Sequence, residues 1–457
     1  MGLYTKICSK VLFPLHERFK GHQSVALRRQ LEQSQYWPRE RLDAYRVERL
    51  RGFLTLIGRT VPYYRELFAR IAFNPDRVTS LDALAQLPLL TKADIRAATE
   101  AFKAENHGPL SRYNTGGSSG EPLIFYMGKG RKSHDVAAKW RATRWWGVDI
   151  GDPELVVWGS PVELGAQDRI RQLRDRVMRS ELLPAFEMSP ANLDRFVETI
   201  RGSRPAMLFG YPSSLSLIAR HAQQKRIVMD ELGIKVAFVT SERLYDEQRA
   251  LIAEVFGCPV ANGYGARDAG FIAHACPHGS LHISAEDIIV ETVDAEGLVV
   301  PPDVAGEIVV THMATTDFPF VRYRTGDIGV LSAKPCSCGL TLPVLGEVQG
   351  RTTDFVVAHD GTIMHGLALI YTVRDLPGVE SFKIVQHDLG HTEVLLVAAD
   401  AFESSSEDRI ISDFKRRLGP DVMVSVRRVD QIPVEKSGKF RYVQSKVPGI
   451  SDGTQRS

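Results

Sequence analysis

Apolar residues recur at helical spacing through the first hundred positions of the chain. Val47, Leu50, Leu54 and Ile57 lie three or four positions apart among charged residues, which predicts an amphipathic helix. Pro62 is expected to end this helix, because proline has no backbone N–H for the helical hydrogen bonds. Basic and acidic residues are mixed over 17–32, and this favours a solvated helical face over a membrane-surface patch.

From about residue 113 to 330, short β-rich runs alternate with longer polar segments that are compatible with helices. The predicted strands are 155–158, 207–209, 236–239 and 308–311, and the predicted helices include 169–180 and 191–201. Buried strands interleaved with helices indicate a layered α/β domain.

A second and smaller unit is predicted after about residue 354. Its strands are expected at 381–386, 393–398 and 422–429, around one amphipathic helix. Ser404 and Glu407 fit a capping box at the start of that helix, and Gly419 is expected to end it. This pattern is typical of an α+β module.

Composition limits the classes of function. The chain has 457 residues, enough for about three domain-sized units or for one large unit and a smaller one. With 57 basic and 55 acidic residues its formal charge is +2, which gives no electrostatic basis for nucleic acid as a partner. No apolar run reaches the roughly 18 residues of a membrane-spanning helix, so none is expected.

The N-terminus and the cysteines indicate where the protein works. The first residues contain no small-residue cleavage site, and Lys6 occupies the position where a myristoylation pattern needs Ser or Thr. The five cysteines are an odd set, and three of them lie near histidines, which favours a reducing compartment and a metal over disulfides. We therefore expect a cytoplasmic protein.

A glycine- and serine-rich segment at 113–122 is the sharpest local motif. Three glycines allow tight turns that present backbone N–H groups, and Thr115, Ser118 and Ser119 add hydroxyl donors, a combination that suits a polyphosphate. No lysine follows Gly120, so this is not a P-loop of the usual pattern. Taken alone, such a loop is also compatible with a plain flexible turn.

Four further segments carry candidate chemistry. The run 262–268, Asn-Gly-Tyr-Gly-Ala-Arg-Asp, offers an aromatic face and a carboxylate after a strand predicted to end near Ala261. It lacks the third glycine of a dinucleotide fingerprint, and a strand-to-loop turn is the alternative. In 323–327, Tyr-Arg-Thr-Gly-Asp, an acid after a tight glycine turn suits a diol. The last two are 350–354, Gly-Arg-Thr-Thr-Asp, at the expected domain boundary, and 433–441, which places Lys439 on a glycine-bearing loop.

The order of these five motifs resembles that of the adenylate-forming (acyl/aryl-CoA synthetase) superfamily. Within it, the chain is most similar to the phenylacetate–CoA ligase-like group and its CapK-type proteins. The resemblance extends to VPYYRELF, RPAMLFGYPSS, VTSERL, GYGARDAGFIAH and IPVEKSGKFRYVQSKV, and it covers nearly the whole chain.

The resemblance implies a large α/β adenylation domain at 1–353 and a small mobile α+β cap at 354–457. It implies ATP-dependent activation of a small-molecule carboxylic acid as an acyl-adenylate, with Mg²⁺, AMP and pyrophosphate. Coenzyme A is the expected acceptor, and transfer to an amine or hydroxyl is the alternative. A non-catalytic, zinc-stabilised scaffold in polysaccharide biosynthesis is a further alternative, and the protein is expected to be a monomer or homodimer.

The resemblance also implies a role for individual residues. The loop residues Thr115, Gly117, Ser118, Ser119 and Gly120 would hold the β- and γ-phosphates. Lys439 would bridge the carboxylate and the α-phosphate, and Asp354 would be the hinge of the cap. The nucleoside would be bound by Ser241, Glu242, Gly263, Tyr264, Gly265, Asp327 and Arg351.

Two positions depart from the superfamily pattern. Asp268 stands where most members have the glutamate that binds Mg²⁺, and its shorter side chain would hold the metal through water or from a closer loop. Thr353 stands where the hinge motif usually carries an acid. The acyl pocket is expected to draw on Phe209, Gly210, Tyr211 and Phe271, near several tryptophans, which favours a medium-sized or aromatic acid.

Two cysteine–histidine clusters predict a metal site. Cys276, Cys336 and Cys338 with one histidine would form a tetrahedral structural zinc site, and relatives with a similar pattern carry zinc. His282 is the favoured fourth ligand, and His278 is the alternative. Two alternatives involve no metal: the three cysteines could be buried free thiols, and His282 could face the substrate pocket.

Overall fold

The structure is a computed structural model of the chain. It describes residues 2–115, 123–158, 169–185, 187–348, 355–399, 401–430, 432 and 442–447.

Helices dominate the first hundred residues, as predicted. The helix over 47–57 is part of α4 (Arg39–Thr60), in which Leu50, Leu54 and Ile57 are buried, and Pro62 begins the next helix. The helices before the first parallel strand are α1 Leu3–Ile7, α2 Phe13–Lys20, α3 Ser24–Ser34, α4 Arg39–Thr60, α5 Pro62–Arg70, α6 Lys92–Ala97 and α7 Lys129–Trp145. A π-helical turn at Cys8–Leu12 joins α1 to α2.

Strands of the large domain form an eleven-stranded mixed sheet. The strands are β3 Glu154–Trp158, β4 Ser180–Pro184, β6 Met207–Gly210, β7 Val236–Thr240, β8 Val260–Ala266, β9 Gly270–Ala275, β10 Leu281–Ile283, β11 Ile288–Val293, β12 Ala305–His312, β13 Phe320–Ser332 and β14 Val344–Val348. Their order in the sheet is β11-β12-β13-β14-β10-β9-β8-β7-β6-β3-β4. A separate hairpin pairs β1 Ser111–Asn114 with β2 Ile124–Met127.

The sheet has a parallel half and an antiparallel half. Strands β4, β3, β6, β7 and β8 are parallel and are connected through the helices α8 Arg169–Met178, α9 Pro190–Ser203, α10 Pro212–Gln224 and α11 Asp246–Phe256. From β8 onward the neighbours are antiparallel. The predicted α/β layering is therefore confirmed for the parallel half, and the antiparallel half follows from strands joined by short turns.

The small C-terminal domain is α+β, as predicted. Strands β17 Val379–Asp388, β18 His391–Ala398, β19 Met423–Arg428 and β20 Val443–Ser445 form one sheet, packed with α12 Leu367–Arg374 and α13 Ser404–Leu418. A short sheet, β15 Phe355–Val357, β16 Ile363–His365 and β5 Glu187–Met188, links it to the large domain. The expected boundary at 353/354 lies outside the described residues.

The predicted capping box of α13 is wrong by one position. Glu403 is the N-cap, with no side-chain capping bond, and Glu407 instead pairs with Arg428 at 2.7 Å. The other end is as expected, because Gly419 follows the last helical residue with a φ of +127°. Over the described residues, no helix combines the length and apolar character needed to cross a bilayer.

Candidate active site

The carboxyl ends of three parallel strands lie side by side. Phe209 of β6 pairs with Phe238 of β7, and Thr240 of β7 pairs with Gly263 of β8. Ser241 therefore leaves its strand beside the run that contains Tyr264. Ligands of open α/β sheets bind outside such strand ends, so this edge is the candidate site.

Tyr264 and Asp327 meet at this edge. The Tyr264 hydroxyl donates a hydrogen bond to the Asp327 carboxylate at 3.0 Å, and it lies 3.4 Å from the Thr325 hydroxyl oxygen. The backbone N–H of Asp327 donates to the same Thr325 oxygen at 3.2 Å. Two motifs that the sequence places far apart thus present one aromatic ring and one carboxylate together.

Both motifs lie on strands, which corrects their predicted local structure. The strand expected to end near Ala261 continues to Ala266, because it pairs with β9 on its second edge. The expected glycine turn before Asp327 lies inside the long strand β13, where Gly326 has a φ of +78°. The register of β13 with β12 shifts between Arg324 and Ile328, so the acid lies within a bulge and does not follow a turn.

The glycines of β8 have packing reasons of their own. A Cβ on Gly265 would lie 2.4 Å from the Gly270 carbonyl oxygen, and one on Gly263 would lie 3.0 Å from the Phe238 ring. These glycines therefore let β9 and an aromatic ring approach the strand. Dinucleotide binding is not required to explain them.

The Ser241-Glu242 turn is held by the start of a helix. Ser241 has a φ of +73°, a left-handed conformation that is unusual for a residue with a side chain. Glu242 accepts hydrogen bonds from the hydroxyl of Ser213 and, at 3.4 Å, from its backbone N–H in the first turn of α10. A carboxylate is favourable there because the helix start carries partial positive charge.

Thr115 closes the base of the glycine- and serine-rich loop. Its backbone N–H donates to the Leu123 carbonyl at 3.0 Å, and its hydroxyl accepts from the Leu123 N–H at 3.0 Å. The loop therefore connects two paired strands of a hairpin, and among the described residues the Thr115 hydroxyl is bonded only as an acceptor. Gly117, Ser118, Ser119 and Gly120 lie outside the described residues.

The end of the small domain meets this hairpin. A cleft of about 250 Å³ is lined by Arg112 and Asn114 of β1 on one side and by Arg374, Phe382 and Tyr442 on the other. Lys439, like Arg351 and Asp354, lies outside the described residues. Tyr442, three positions after Lys439 in the sequence, is the described residue of that segment that lines the cleft.

Asp268 is buried and is held from two sides. The Tyr323 hydroxyl donates to its carboxylate, and Arg131 of α7 donates to its backbone carbonyl at 3.3 Å. Arg131 also donates to the carbonyl of Arg267 at 3.3 Å. The Tyr323 bond engages one of the two carboxylate oxygens of Asp268.

Arg131 belongs to a buried network that the sequence did not reveal. Its Nε donates to both oxygens of Asp135 at 2.9 Å, and the rings of His134 and His312 lie 4.9 Å apart beside this pair. Burial by itself would raise the pKa of Asp135, but Arg131 and His134 hold it below its usual value. Burial, and then Arg131, hold the pKa of His312 well below its ordinary range, so its imidazole is neutral.

The expected acyl-pocket residues are part of an aromatic row across the sheet. Trp158 stacks on Tyr211 with ring centroids 4.4 Å apart, and Phe209 stacks on Phe238 at 5.9 Å. Phe271 stacks on His274 at 5.6 Å. Gly210 has no room for a side chain, because a Cβ would lie 2.3 Å from the Val157 carbonyl oxygen. Burial lowers the pKa of His274 to about 3, so this row is uncharged.

The four predicted metal ligands converge on one point. The ligand atoms of Cys276, His282, Cys336 and Cys338 all lie within 4.8 Å of one another. The Cys276 and Cys336 sulfurs are 3.7 Å apart, close to the roughly 3.8 Å between two ligands of a tetrahedral Zn–S site. The Nε2 atom of His282 lies 3.2 Å from the Cys338 sulfur, and its Nδ1 atom lies 3.2 Å from the Leu342 carbonyl oxygen. Such an outer contact orients a ligating histidine.

His278 is not part of this cluster. It is exposed, and its Nδ1 lies 3.0 Å from the Ser337 hydroxyl. The geometry therefore favours His282, on strand β10, as the fourth ligand, with the cysteines on the segments that follow β9 and β13.

Comparisons with known proteins agree with this architecture. A family model described as the CapK C-terminal domain matches residues 356–446. Protein CapK of Staphylococcus aureus is 24% identical over 405 residues, which cover 88% of either chain. A phenylacetate-coenzyme A ligase of Thermus thermophilus is 23% identical over 448 residues, covering 89% of this chain and 97% of that protein. Another, from Pseudomonas putida, is 26% identical over 334 residues, covering 69% and 72%.

Solved structures share the fold. A crystal structure of 2-hydroxyisobutyryl-CoA ligase, in complex with 2-HIB-AMP and CoA in the thioesterification state, aligns with a TM-score of 0.61. It is 19% identical, and the match covers 91% of this chain and 92% of that one. An open conformation of the same ligase with 2-HIB-AMP and CoA aligns with a TM-score of 0.59 at 19% identity, covering 90% and 93%.

Proposed function

Because the chain is a relative of CapK and of phenylacetate–CoA ligases, with the fold of adenylate-forming enzymes, we propose that it activates a carboxylic acid with ATP and passes the acyl group to coenzyme A. A carboxylate oxygen attacks the α-phosphorus, and pyrophosphate leaves. The thiol of coenzyme A then attacks the acyl carbon, loses its proton, and AMP leaves. The observation that carries the proposal is the hydrogen bond between Tyr264 and Asp327 at the carboxyl edge of the sheet.

The nucleoside is assigned to this pair of residues. The ring of Tyr264 offers a flat face for adenine, while the carboxylate of Asp327 accepts hydrogen bonds from the two ribose hydroxyls. Arg351 assists at the ribose. Ser241 and Glu242 edge the base pocket, since their turn leaves the strand next to β8.

The phosphates are assigned to the hairpin loop and to Lys439. Backbone N–H groups and the hydroxyls of Ser118 and Ser119 hold the β- and γ-phosphates. Lys439 reduces the repulsion between the carboxylate and the α-phosphate, because an ammonium on a flexible stem reaches both anions. The cleft lined by Asn114 and Tyr442 supports this assignment, because these two described residues are sequence neighbours of the loop and of Lys439.

Mg²⁺ fits Asp268 as a single-oxygen ligand. The buried carboxylate has one oxygen bonded to Tyr323, and Mg²⁺ commonly takes one carboxylate oxygen and completes its shell with water and phosphate. When bound, the ion would neutralise phosphate charge. Asp268 contributes the position of that charge, and Arg131 fixes the backbone that carries it.

The acyl pocket is assigned to the aromatic row. Phe209 and Tyr211 stack on Trp158, and Phe271 stacks on His274, which gives an aromatic wall that suits a medium-sized or aromatic acid. The indole N–H of Trp158 has no hydrogen-bond partner among the described residues, so a polar substituent of the acid would find a donor there.

Zinc fits the Cys276, His282, Cys336 and Cys338 cluster, because three thiolates and one imidazole at these separations match a closed tetrahedral site. When bound, it would supply structural stability by joining two loops. Rotation of the small domain about Asp354 is proposed to exchange the adenylating and thioester-forming arrangements.

An acceptor test separates the possible second half-reactions. The protein is given ATP, Mg²⁺ and a panel of aryl and alkyl acids, with coenzyme A or with amines, and AMP release is measured. We expect release that requires one acid and coenzyme A. Release that requires an amine or hydroxyl compound instead would replace thioester formation with amide or ester formation. Failure to bind ATP at millimolar levels would favour the scaffold.

A further inference from the structure

The N-terminal helices present an exposed row of apolar side chains, which we term the apolar stripe. It consists of residues spaced four apart: Leu3, Ile7, Val11, Leu15 and Phe19. Their exposed fractions are 77%, 43%, 49%, 50% and 91%. Isolated exposed apolar residues are normal, but a continuous row of five marks an interaction surface.

The π-helical turn at Cys8–Leu12 keeps the apolar stripe straight. On a regular α-helix, residues four apart drift by about 40° at each step. A π-helical turn has more residues per turn, so it reverses part of that drift in the middle of the row.

The opposite face anchors these helices to the large domain. Tyr4 donates to the Val177 carbonyl at 2.7 Å, and Thr5 donates to Asp152 at 2.7 Å. Cys8 is fully buried against Gly151, where a Cβ would lie 2.4 Å from the cysteine Cβ. The apolar stripe is therefore held outward on a fixed support.

Exposed cations flank the apolar stripe. Lys6, Lys10, Arg18 and Lys20 are all exposed, and Glu17 is the single acidic residue among the first 22. Glu17 is buried and accepts a hydrogen bond from Ser24, so it does not offset these charges at the surface. Among residues 1–22 the cations therefore point outward and the one acid points inward.

The residues packed beneath the N-terminal helices add to this excess of positive charge. The guanidinium of Arg179, just after α8, lies 4.6 Å from the centre of the Tyr4 ring. The pKa of His16 is lowered mainly by burial, then by Lys20, and to a smaller extent by Arg174 of α8. The acids there are paired: Asp152 lies 3.2 Å from Lys235 and Asp175 contacts Arg174.

We propose that this surface docks the protein reversibly on a bilayer that contains anionic lipids. The apolar stripe would enter the headgroup region while the flanking cations contact lipid phosphates, the arrangement of interfacial helices. A second copy of the chain is a poor occupant, because a two-fold dimer would set the four cations against the same four cations. The segment lies on the membrane and does not span it.

Vesicle co-sedimentation of the full chain tests the proposal. Vesicles of phosphatidylcholine alone are compared with equimolar phosphatidylcholine and phosphatidylglycerol, at low and high salt. We expect binding to the anionic vesicles only, with release by salt, since each exposed cation contributes about five-fold to affinity. Binding to neither vesicle type, or equally to both, would overturn the proposal.

Two double variants separate the apolar and the charged contributions. Ile7→Ser with Val11→Ser should weaken binding about ten-fold or more, and Lys6→Gln with Lys10→Gln about twenty-fold. Matched controls on other surfaces, Leu298→Ser and Arg201→Gln with Arg220→Gln, should bind as the parent does. Each variant is first checked for an unchanged melting temperature.

Two results would contradict membrane docking even if the variants fold. Parent-like vesicle binding by both double variants would place the contact elsewhere. Concentration-dependent dimerisation in sedimentation velocity that Ile7→Ser with Val11→Ser abolishes, without loss of vesicle binding, would assign the apolar stripe to a second copy of the chain.

Discussion

The hydroxyl of Tyr264 donates a hydrogen bond across 3.0 Å to the carboxylate of Asp327, a residue 63 positions further along the chain. The bond fixes the distance between an aromatic face and a carboxylate at one end of the sheet. These two groups match the two parts of a nucleoside, because the base stacks on an aromatic face and the ribose donates its hydroxyl hydrogens to a carboxylate. This relationship is the basis for assigning ATP to this edge.

Substitution at this pair should weaken ATP binding by different amounts. Asp327→Asn removes the charged acceptor of the ribose hydroxyls, so we expect the KM for ATP to rise by about ten-fold or more. Tyr264→Phe keeps the stacking face and loses only the hydroxyl, so a rise of about three-fold is expected. ATP–pyrophosphate exchange measures both, with exposed Tyr36→Phe as the control. An unchanged KM in Asp327→Asn would remove the nucleoside from this site.

Arg131 should act as a positioning residue for Asp268. Arg131→Met leaves the partly exposed Asp135 without its arginine partner, which costs up to about 3 kcal/mol of unfolding free energy. Arg131→Met with Asp135→Leu removes both charges and should recover much of that stability. Because the carbonyls of Arg267 and Asp268 stay unsupported, kcat should remain about ten-fold low in both variants, at saturating Mg²⁺.

The double variant distinguishes positioning from stability. If the double variant regains parent-like kcat together with its stability, Arg131 has only a structural role. Chemical denaturation and steady-state AMP release under the same conditions supply the two measurements.

The zinc cluster should control both metal content and stability. Cys336→Ser replaces a thiolate by a hydroxyl that stays protonated, so we expect zinc to fall from about one equivalent to below half and the melting temperature to drop. Cys258→Ser is the matched control, because Cys258 is buried away from this cluster. His278→Gln should keep its zinc and His282→Gln should lose it. Parent-like zinc in His282→Gln would contradict the ligand assignment.

The stability of the protein should fall as the pH is lowered below about 6.5. Burial, with Arg131, keeps His312 neutral in the folded protein, whereas an unfolded chain protonates it at its ordinary pKa. The unfolded state therefore binds one more proton, and the unfolding free energy declines by about 1.4 kcal/mol per pH unit from this group. His312→Gln should reduce the slope by that amount. An unaltered slope in His312→Gln would mean that His312 titrates in the folded protein.

Local composition predicted where the strands and motifs lie along the chain better than it predicted how they contact one another in the fold. The run 236–239 is continuously apolar, and such a run at the centre of a sheet needs no further information. The sequence predicts too early an end for β8, because Gly263 and Gly265 are typical of a turn. In the structure both glycines lie inside the strand, where Phe238 and Gly270 come too close to leave room for a side chain. Space between neighbouring strands is a tertiary property that the single sequence does not carry.

The buried network at Arg131 was missed for a related reason. Arg131, His134 and Asp135 lie on one helix among other polar residues, where they resemble a solvated face. Their burial depends on His312, from a strand nearly two hundred positions away, and on the backbone of Asp268. By contrast, Cys276, His282, Cys336 and Cys338 were found together because three thiols and an imidazole need no packing information to indicate a metal.

Carboxylate-dependent ATP–pyrophosphate exchange tests the central claim most directly, because it reports adenylate formation without the second half-reaction. Across the acid panel, the account predicts exchange with at least one acid in the parent protein and in Lys436→Ala, a control in the same segment. It predicts no exchange in Lys439→Ala, which should fold normally and still transfer a supplied acyl-adenylate to the acceptor. Undiminished exchange in Lys439→Ala, or a parent protein that exchanges with no acid, would contradict it.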